Sequence, residues 1–303
     1  MKSLSFTSLL SALLLLSNGT LAQVVKSFMG SDIEVTFSKE ISFTSFDDDK
    51  NIGIKVHRND ELPDSFNWRD QNLVTVELNQ HIPQYCGSCW VHSTVSTIAD
   101  RLKIQNKGIG RDVIPSVQAV LNCGRLVGSC SGGDVHALLR WWNKNPLPDV
   151  TCMAYEARDG TCSENGYDFC RTCNSTGLCA PVTEYRKVKV EDYYRVVGDD
   201  NIMQEIYKNG PVICYLNSDC IDNYTGGVSM YNESYTGEEC KTYNFNHAIS
   251  IAGWGVDSNG VKYWVSRNSW GTYYGEGGWF NIVRGGAYNP IGCYAATASI
   301  ENI

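Results

Sequence analysis

The chain has 303 residues, 43% of them hydrophobic, with a formal net charge of −8 at pH 7. The charges are spread without long blocks, and no basic patch stands out. This pattern argues against nucleic acid and against an anionic membrane surface as partners.

The first 22 residues read as a secretory signal peptide. A lysine at position 2 precedes an apolar run rich in leucine, and the small residue Ala22 stands where a signal peptidase would cut. A membrane anchor is the alternative, but the run is shorter than the roughly 20 apolar residues that a span needs. We therefore expect a soluble protein of the secretory pathway, in the lysosome or outside the cell.

Residues 23–61 form a polar stretch without cysteine. The composition changes at Leu62, where proline and two aromatic residues appear together within residues 62–70. We predict that 23–61 is a pro-segment and 62–303 the mature domain. The alternative is an N-terminal tail with no role.

A helix is predicted to begin near Cys89. Val91, Val95, Ile98 and Leu102 recur at helical spacing and would form one apolar face. The side chain of Cys89 would then lie at the N-terminus of this helix, where the helix dipole favours a negative charge.

Two more helical stretches follow at 116–121 and 134–143, and then a loop region at 152–179 that holds five cysteines. The rest of the chain is rich in β-type runs separated by turn residues, at 212–216, 248–254, 262–267 and 279–283. A helical half followed by a strand-rich half predicts an α+β protein of two subdomains, with a cleft between them.

Cys89 is a candidate nucleophile, because a cysteine attacks carbonyl groups as a thiolate when a histidine takes its proton. His57 lies in the predicted pro-segment, His136 in an apolar helical stretch, and His92 one turn after Cys89 on the same helix. We interpret the last two as structural.

His247 opens a predicted strand in the opposite subdomain from Cys89, and Asn268 follows at the end of the next strand. The side chain of such an asparagine can accept the second imidazole N–H and fix the tautomer of the ring. These three residues therefore form a candidate catalytic set.

Three segments around these residues, 86–90 (C-G-S-C-W), 246–248 (N-H-A) and 267–271 (R-N-S-W-G), resemble the catalytic segments of the papain family of cysteine proteases. The resemblance covers 62–303. It implies a papain-like two-lobed fold, with a helical left lobe, a β-barrel-like right lobe and the active-site cleft between them. It also implies catalytic roles for Cys89, His247 and Asn268.

The resemblance extends to other site residues. Gln80 resembles the glutamine of the oxyanion hole, and Gly132 and Gly133 resemble the strip that bonds the substrate backbone. Trp270 resembles the indole that shields the histidine–asparagine hydrogen bond from water. A catalytically inactive binding module of the same fold is the alternative from another class, but Cys89 and its partners are all present.

Five residues, 81–85 (H-I-P-Q-Y), separate Gln80 from Cys86, where papain-like enzymes generally have two. We call residues 81–85 the mini-loop. It resembles that of a carboxypeptidase branch of the family, which implies that His81 binds the terminal carboxylate, with Tyr85 beside it, and that single C-terminal residues are removed. An endopeptidase or another exopeptidase with a longer connection is the alternative.

The side-chain chemistry of the mini-loop points the same way. Pro83 would stiffen the loop by fixing one backbone angle. A protonated His81 could make a charge-assisted hydrogen bond to a carboxylate, and this bond would strengthen in an acidic compartment.

The resemblance and the order of the cysteines also imply a disulfide pattern. The expected pairs are Cys86–Cys130, Cys123–Cys162, Cys152–Cys170, Cys173–Cys179, Cys214–Cys293 and Cys220 with Cys240, and only Cys89 is left over. Zinc at the C-x-x-C pairs is the alternative, but an oxidising compartment favours disulfides, and we expect no metal and no cofactor.

In the carboxypeptidase branch, a pro-segment cysteine holds the catalytic cysteine in the zymogen. Residues 23–61 contain no cysteine, so inhibition here is expected to be non-covalent. Asn174, Asn223 and Asn232 begin sequons and are candidate glycosylation sites. We expect a monomer that acts on peptides and proteins with free C-termini.

Overall fold

The computed structural model describes residues 42–43, 53–56, 61–229, 245–285 and 293–301. His57, Asn232 and Cys240 lie outside the described residues. Within the described ones, the helices are α1 (Cys89–Gln105), α2 (Val117–Cys123), α3 (Val135–Lys144) and α4 (Asp199–Asn209), with one 3-10 turn at Ser218–Cys220.

The strands lie before, between and after these helices along the chain. They are β1 (Ser42–Phe43), β2 (Ile54–Lys55), β3 (Phe66–Asn67), β4 (Gly128–Ser129), β5 (Gly132–Gly133), β6 (Leu147–Pro148), β7 (Arg171–Cys173), β8 (Cys179–Pro181), β9 (Lys187–Val196), β10 (Val212–Leu216), β11 (Val228–Ser229), β12 (His247–Val256), β13 (Lys262–Arg267), β14 (Trp279–Val283) and β15 (Cys293–Glu301).

The helices begin in two different ways. α2 and α3 each have a side-chain cap, since Ser116 accepts a hydrogen bond from the Ala119 N–H and Asp134 accepts one from the Ala137 N–H. At α1 the N-cap residue Ser88 makes no such bond. The first N–H groups of α1 are therefore not satisfied by a capping side chain, at the end where Cys89 stands.

Most strands join one sheet in the order β1-β2-β9-β15-β10-β12-β13-β14-β11, with β3 on β12 and β6 on β9. The α+β class is confirmed. In the described part of the chain the pairing order is open and forms no closed barrel, since β1 and β11 end it and do not pair with each other.

The two largest apolar cores among the described residues lie in different parts of the fold. The first is built mainly by α1, α2 and α3 and includes Trp90, Ile98, Leu121, Leu139 and Trp142. The second lies within the strand-rich part and includes Ile206, Trp254, Trp264 and Phe280. Because each large apolar side chain contributes about 1.5–3 kcal/mol when buried, these cores stabilise the two lobes that carry the site.

Polar contacts fasten α1 to the strands of the other lobe. Asp100 accepts hydrogen bonds from the Thr75 N–H at 2.7 Å and from Arg267 at 3.3 Å. Thr97 donates to Ser250 at 2.8 Å. These contacts fix the nucleophile's helix against β12 and β13, the strands that carry His247 and lead to Asn268.

Residues 53–56, which belong to the predicted pro-segment, lie against the sheet edge. β2 pairs in parallel with β9, and the Arg195 N–H donates to the Gly53 carbonyl at 2.8 Å. Lys55 donates to the Tyr194 hydroxyl at 3.2 Å and lies 3.8 Å from Glu205. The boundary between pro-segment and mature domain stays a prediction.

No helix in the described ranges is both long and apolar enough to cross a membrane.

Candidate active site

Cys89 is the first residue of α1 and has a free thiol. The backbone N–H of Ala248, the residue after His247, forms a hydrogen bond with this thiol. Burial raises the pKa of the Cys89 thiol, and the N–H groups of Ala248 and Trp90 oppose that rise. The structure therefore brings the predicted nucleophile next to the start of β12.

His247 and Asn268 meet across β12 and the end of β13. The Nε2 atom of His247 donates to the Asn268 side-chain oxygen at 2.8 Å, and both residues are buried. The ring of Trp270 lies over this pair, with its centroid 5.1 Å from that of His247. Since Nε2 is engaged by Asn268, the Nδ1 atom of His247 is the one available for proton transfer.

Burial opposes a charge on either Cys89 or His247 when only one of the two is charged. It lowers the pKa of His247 to about 4, against the favourable hydrogen bond that His247 donates to Asn268, and it raises the pKa of the Cys89 thiol. A proton transfer from Cys89 to His247 creates both charges together, so their mutual attraction and the N-terminus of α1 offset the cost of burial.

Gln80 lies beside the nucleophile with its side chain held at both ends. Its Nε2 donates to the Cys86 carbonyl at 3.0 Å, and its Oε1 accepts from the Ser269 hydroxyl at 2.6 Å. The amide carries two protons, and the structure pairs one of them with Cys86. The other amide proton is the one that could serve an oxyanion.

The glycine strip at β5 lies next to the nucleophile's segment. The Gly87 N–H donates to the Cys130 carbonyl at 2.7 Å, and a disulfide joins Cys86 to Cys130. A Cβ atom at Gly133 would collide with the Trp90 indole, while Gly132 is exposed with φ at 121°. Packing against Trp90 therefore requires glycine at 133, while Gly132 presents exposed backbone near the start of α1.

The mini-loop places His81 between two aromatic rings. The imidazole stacks on Tyr85 with a centroid distance of 4.7 Å and an angle of 8°, and lies 6.5 Å from Trp270. Its Nδ1 atom is buried without a hydrogen-bond partner among the described residues. Burial lowers the pKa of His81.

His92 and His136 have packing roles. His92 is buried, and its Nδ1 lies 3.1 Å from both the hydroxyl and the carbonyl of Ser88. Burial lowers the pKa of His92 to about 4. His136 lies beside the rings of Tyr193 and Tyr294.

Five of the six expected disulfides are present. They are Cys86–Cys130, Cys123–Cys162, Cys152–Cys170, Cys173–Cys179 and Cys214–Cys293. Cys220 is also disulfide-bonded, and its expected partner Cys240 lies outside the described residues. Of the sequon asparagines, Asn174 and Asn223 are exposed, as glycosylation would require.

Comparisons with known proteins give the same outline. The family model described as papain family cysteine protease matches residues 62–300. Cathepsin Z of Onchocerca volvulus is 43% identical over 229 residues, which cover 74% of this chain and 71% of that protein. Fruit bromelain of Ananas comosus is 31% identical over 283 residues, which cover 93% of this chain and 69% of that protein.

Solved structures match as well. Bromelain from Ananas comosus in complex with the inhibitor E64 aligns with a TM-score of 0.60 and 28% identity, covering 78% of this chain and 99% of that one. Procathepsin L2 from the Tenebrio molitor larval midgut aligns with a TM-score of 0.62 and 29% identity, covering 78% and 69%.

Proposed function

The chain belongs to the papain family of cysteine proteases, and we propose that it is a carboxypeptidase that removes single residues from free C-termini. The family itself confirms the expectation drawn from segments 86–90, 246–248 and 267–271. The proposal that residues are removed from the C-terminus rests on the mini-loop.

The proposed reaction passes through an acyl-enzyme. The Cys89 thiolate attacks the carbonyl carbon of the last peptide bond, and the oxyanion accepts hydrogen bonds from the Gln80 amide and the Cys89 N–H. The imidazolium of His247, oriented by Asn268, then gives its proton to the departing amine as the C–N bond breaks. A water molecule, deprotonated by His247, cleaves the thioester and releases the shortened chain.

The observation that carries the proposal is the setting of His81. The mini-loop follows directly after the oxyanion donor Gln80, so it borders the side of the cleft that the leaving group occupies. There the imidazole has a buried Nδ1 with no partner among the described residues, next to Trp270. A protonated imidazole at this position would pair with a carboxylate one residue beyond the scissile bond.

The likeness to cathepsin Z supports the same assignment. The run H-I-P-Q-Y-C-G-S-C-W at residues 81–90 resembles that of cathepsin X, also called cathepsin Z, and the relative of that name is 43% identical to this chain. The resemblance implies that the mini-loop closes the primed side after one residue.

A pair of peptides tests the proposal. The two share one sequence, and one ends in a free carboxylate while the other is amidated. We expect kcat/KM to be about 10- to 100-fold higher for the free acid, the worth of one hydrogen bond to a charged group. His81→Ala should remove that preference and leave the amidated peptide unaffected. Equal cleavage of both peptides by the unaltered enzyme would instead favour an endopeptidase.

The same proposal covers export and activation. The enzyme acts as a monomer on peptides and proteins with free C-termini. It does so in a lysosome-like or extracellular compartment, where the disulfides are stable. The pro-segment, 23–61, inhibits without a covalent bond to Cys89. The pairing of residues 53–56 with β9 supports a non-covalent attachment of this kind.

A further inference from the structure

Residues 155–159 lie in the loop region at 152–179 that holds five cysteines, here called the cysteine-rich insertion, and they contact several parts of the site. The Tyr155 hydroxyl donates to the Gln80 carbonyl at 2.7 Å. The Ala157 carbonyl accepts from the Gln84 side chain at 3.2 Å. The insertion therefore contacts Gln80, which precedes the mini-loop, and Gln84 within it.

The Tyr155 hydroxyl makes a second contact, which reaches the nucleophile's segment. It lies 2.8 Å from the hydroxyl of Ser88, the residue before Cys89. Since the Tyr155 proton goes to Gln80, Ser88 is the donor in this pair. One oxygen atom thus bridges the two segments that supply the oxyanion donors, the Gln80 amide and the Cys89 N–H.

The hydroxyl is suited to a fixed bridge. Burial raises the pKa of Tyr155 to about 12, so it keeps its proton at every pH at which the enzyme would work. The edge of its ring also packs against His92, at a centroid distance of 4.8 Å.

The segment behind Tyr155 is itself held in place. The Glu156 N–H donates to Gln118 of α2 at 2.9 Å, and the Glu156 carboxylate pairs with Arg171 at 2.6 Å. A disulfide closes Cys152 to Cys170. These contacts tie the segment to α2 and β7, so that the hydroxyl has little freedom to follow a movement of Gln80.

We propose that Tyr155 is a positioning residue that sets the spacing between the Gln80 amide and the Cys89 N–H in the oxyanion hole. One contact of its hydroxyl is with the backbone carbonyl of Gln80. The other is with the side chain of Ser88, which directly precedes Cys89. The inference rests on the proposed oxyanion role of Gln80. It assigns a part in catalysis to a side chain of the cysteine-rich insertion, acting through its contacts with Gln80 and Ser88.

The test is a double-mutant cycle on the activated enzyme with the free-acid peptide. Tyr155→Phe removes only the hydroxyl, and we expect kcat to fall roughly 3- to 30-fold, less than the about 10²–10³ that loss of an oxyanion donor costs. KM should change little. In a Gln80→Ala background the same substitution should have no further effect, because the group that it positions is gone.

Two controls separate positioning from a general loss of structure. Tyr167→Phe, in the same insertion with its ring against Arg171, should leave kcat unchanged. The rate at which iodoacetamide alkylates Cys89 should also stay the same in Tyr155→Phe, because alkylation forms no oxyanion and reports only the thiolate. A slowed alkylation would overturn the proposal by showing that the cysteine–histidine pair itself had moved.

The possible outcomes distinguish the positioning role of Tyr155 from the proposed function of the enzyme. An equal loss of kcat from Tyr155→Phe in both backgrounds, or no loss in either, would overturn the positioning role while leaving the proposed function standing. A normal kcat in Gln80→Ala would instead contradict the oxyanion role on which both claims depend.

Discussion

The catalytic pair, Cys89 and His247, and the mini-loop are neighbours in the site, but the surrounding protein holds them in very different ways. His247 is 4% exposed, while Tyr85 and Ile82 of the mini-loop are 79% and 60% exposed. The pair, Cys89 and His247, begins the helix α1 and the strand β12, which are both largely buried. The mini-loop is held by hydrogen bonds at its ends and by ring stacking. Bond cleavage should therefore depend on the core, and the choice of substrate on a surface loop.

The largest effect is expected at the nucleophile. Cys89→Ala should reduce kcat by roughly four to six orders of magnitude on both the free and the amidated peptide, since no other group can form the acyl-enzyme. Hydrolysis assays on the activated enzyme check this, with circular dichroism to show that α1 still forms. Residual activity near that of the unaltered enzyme would mean that Cys89 is not the nucleophile.

The next largest effect concerns the contact that aligns the two lobes. The buried pair of Asp100 and Arg267 lies 3.3 Å apart, and Arg267 directly precedes Asn268. Arg267→Met leaves the Asp100 charge buried without its partner, so we expect the free energy of unfolding to fall by about 3–5 kcal/mol. Urea or thermal unfolding measures this change.

The matched control for Arg267→Met is Lys189→Met, which breaks the pair with Glu191 on the exposed part of β9. It should leave the unfolding midpoint unchanged, because exposed pairs contribute little. Similar losses in both variants would contradict the view that the buried pair holds the lobes together.

Much of the core that carries the catalytic pair could be predicted from the sequence. The spacing of Val91, Val95, Ile98 and Leu102 indicates α1, and continuous apolar runs indicate β10, β13 and β14. The strand β9 was not predicted, although its residues 187–190 alternate between lysine and valine. Neither was α4, whose Ile202 and Ile206 are four residues apart.

The contacts between residues of the site could not be predicted from the sequence and are known only from the structure. Cys89, His247 and Asn268 could be named from their motifs, and the mini-loop from its length. Tyr155 could not, because nothing in residues 152–179 indicates which side chain of a disulfide-rich loop turns toward Gln80. Long-range packing decides that, and five cysteines in one loop allow many arrangements.

A smaller effect is expected from pH, through the titration of His81 in the mini-loop. Burial lowers the pKa of His81 below its ordinary value of about 6.5, so in the free enzyme the imidazolium forms only as the pH falls through that lowered pKa. A substrate C-terminal carboxylate stays ionised throughout. The ratio of kcat/KM for the free acid to that for the amide should therefore rise as the pH falls from about 7 to about 5.

Rates measured at several pH values with both peptides check this ratio. Because both peptides use the same catalytic pair, any titration of Cys89 and His247 cancels in it. His81→Asn keeps a polar side chain that does not titrate, and its ratio should be flat. A ratio that still rises in this variant would assign the pH dependence to another group.

The smallest effect is expected from the ring that supports His81. Tyr85 is mostly exposed and its only described ring contact is the stack on the imidazole at 4.7 Å. Tyr85→Ala removes that stack, worth about 0.5–1.5 kcal/mol, so KM for the free-acid peptide should rise about 2- to 10-fold with kcat unchanged. Tyr85→Phe keeps the ring and should keep the KM of the unaltered enzyme. If Phe fails as Ala does, the hydroxyl contacts the substrate directly, and the stack is not what orients His81.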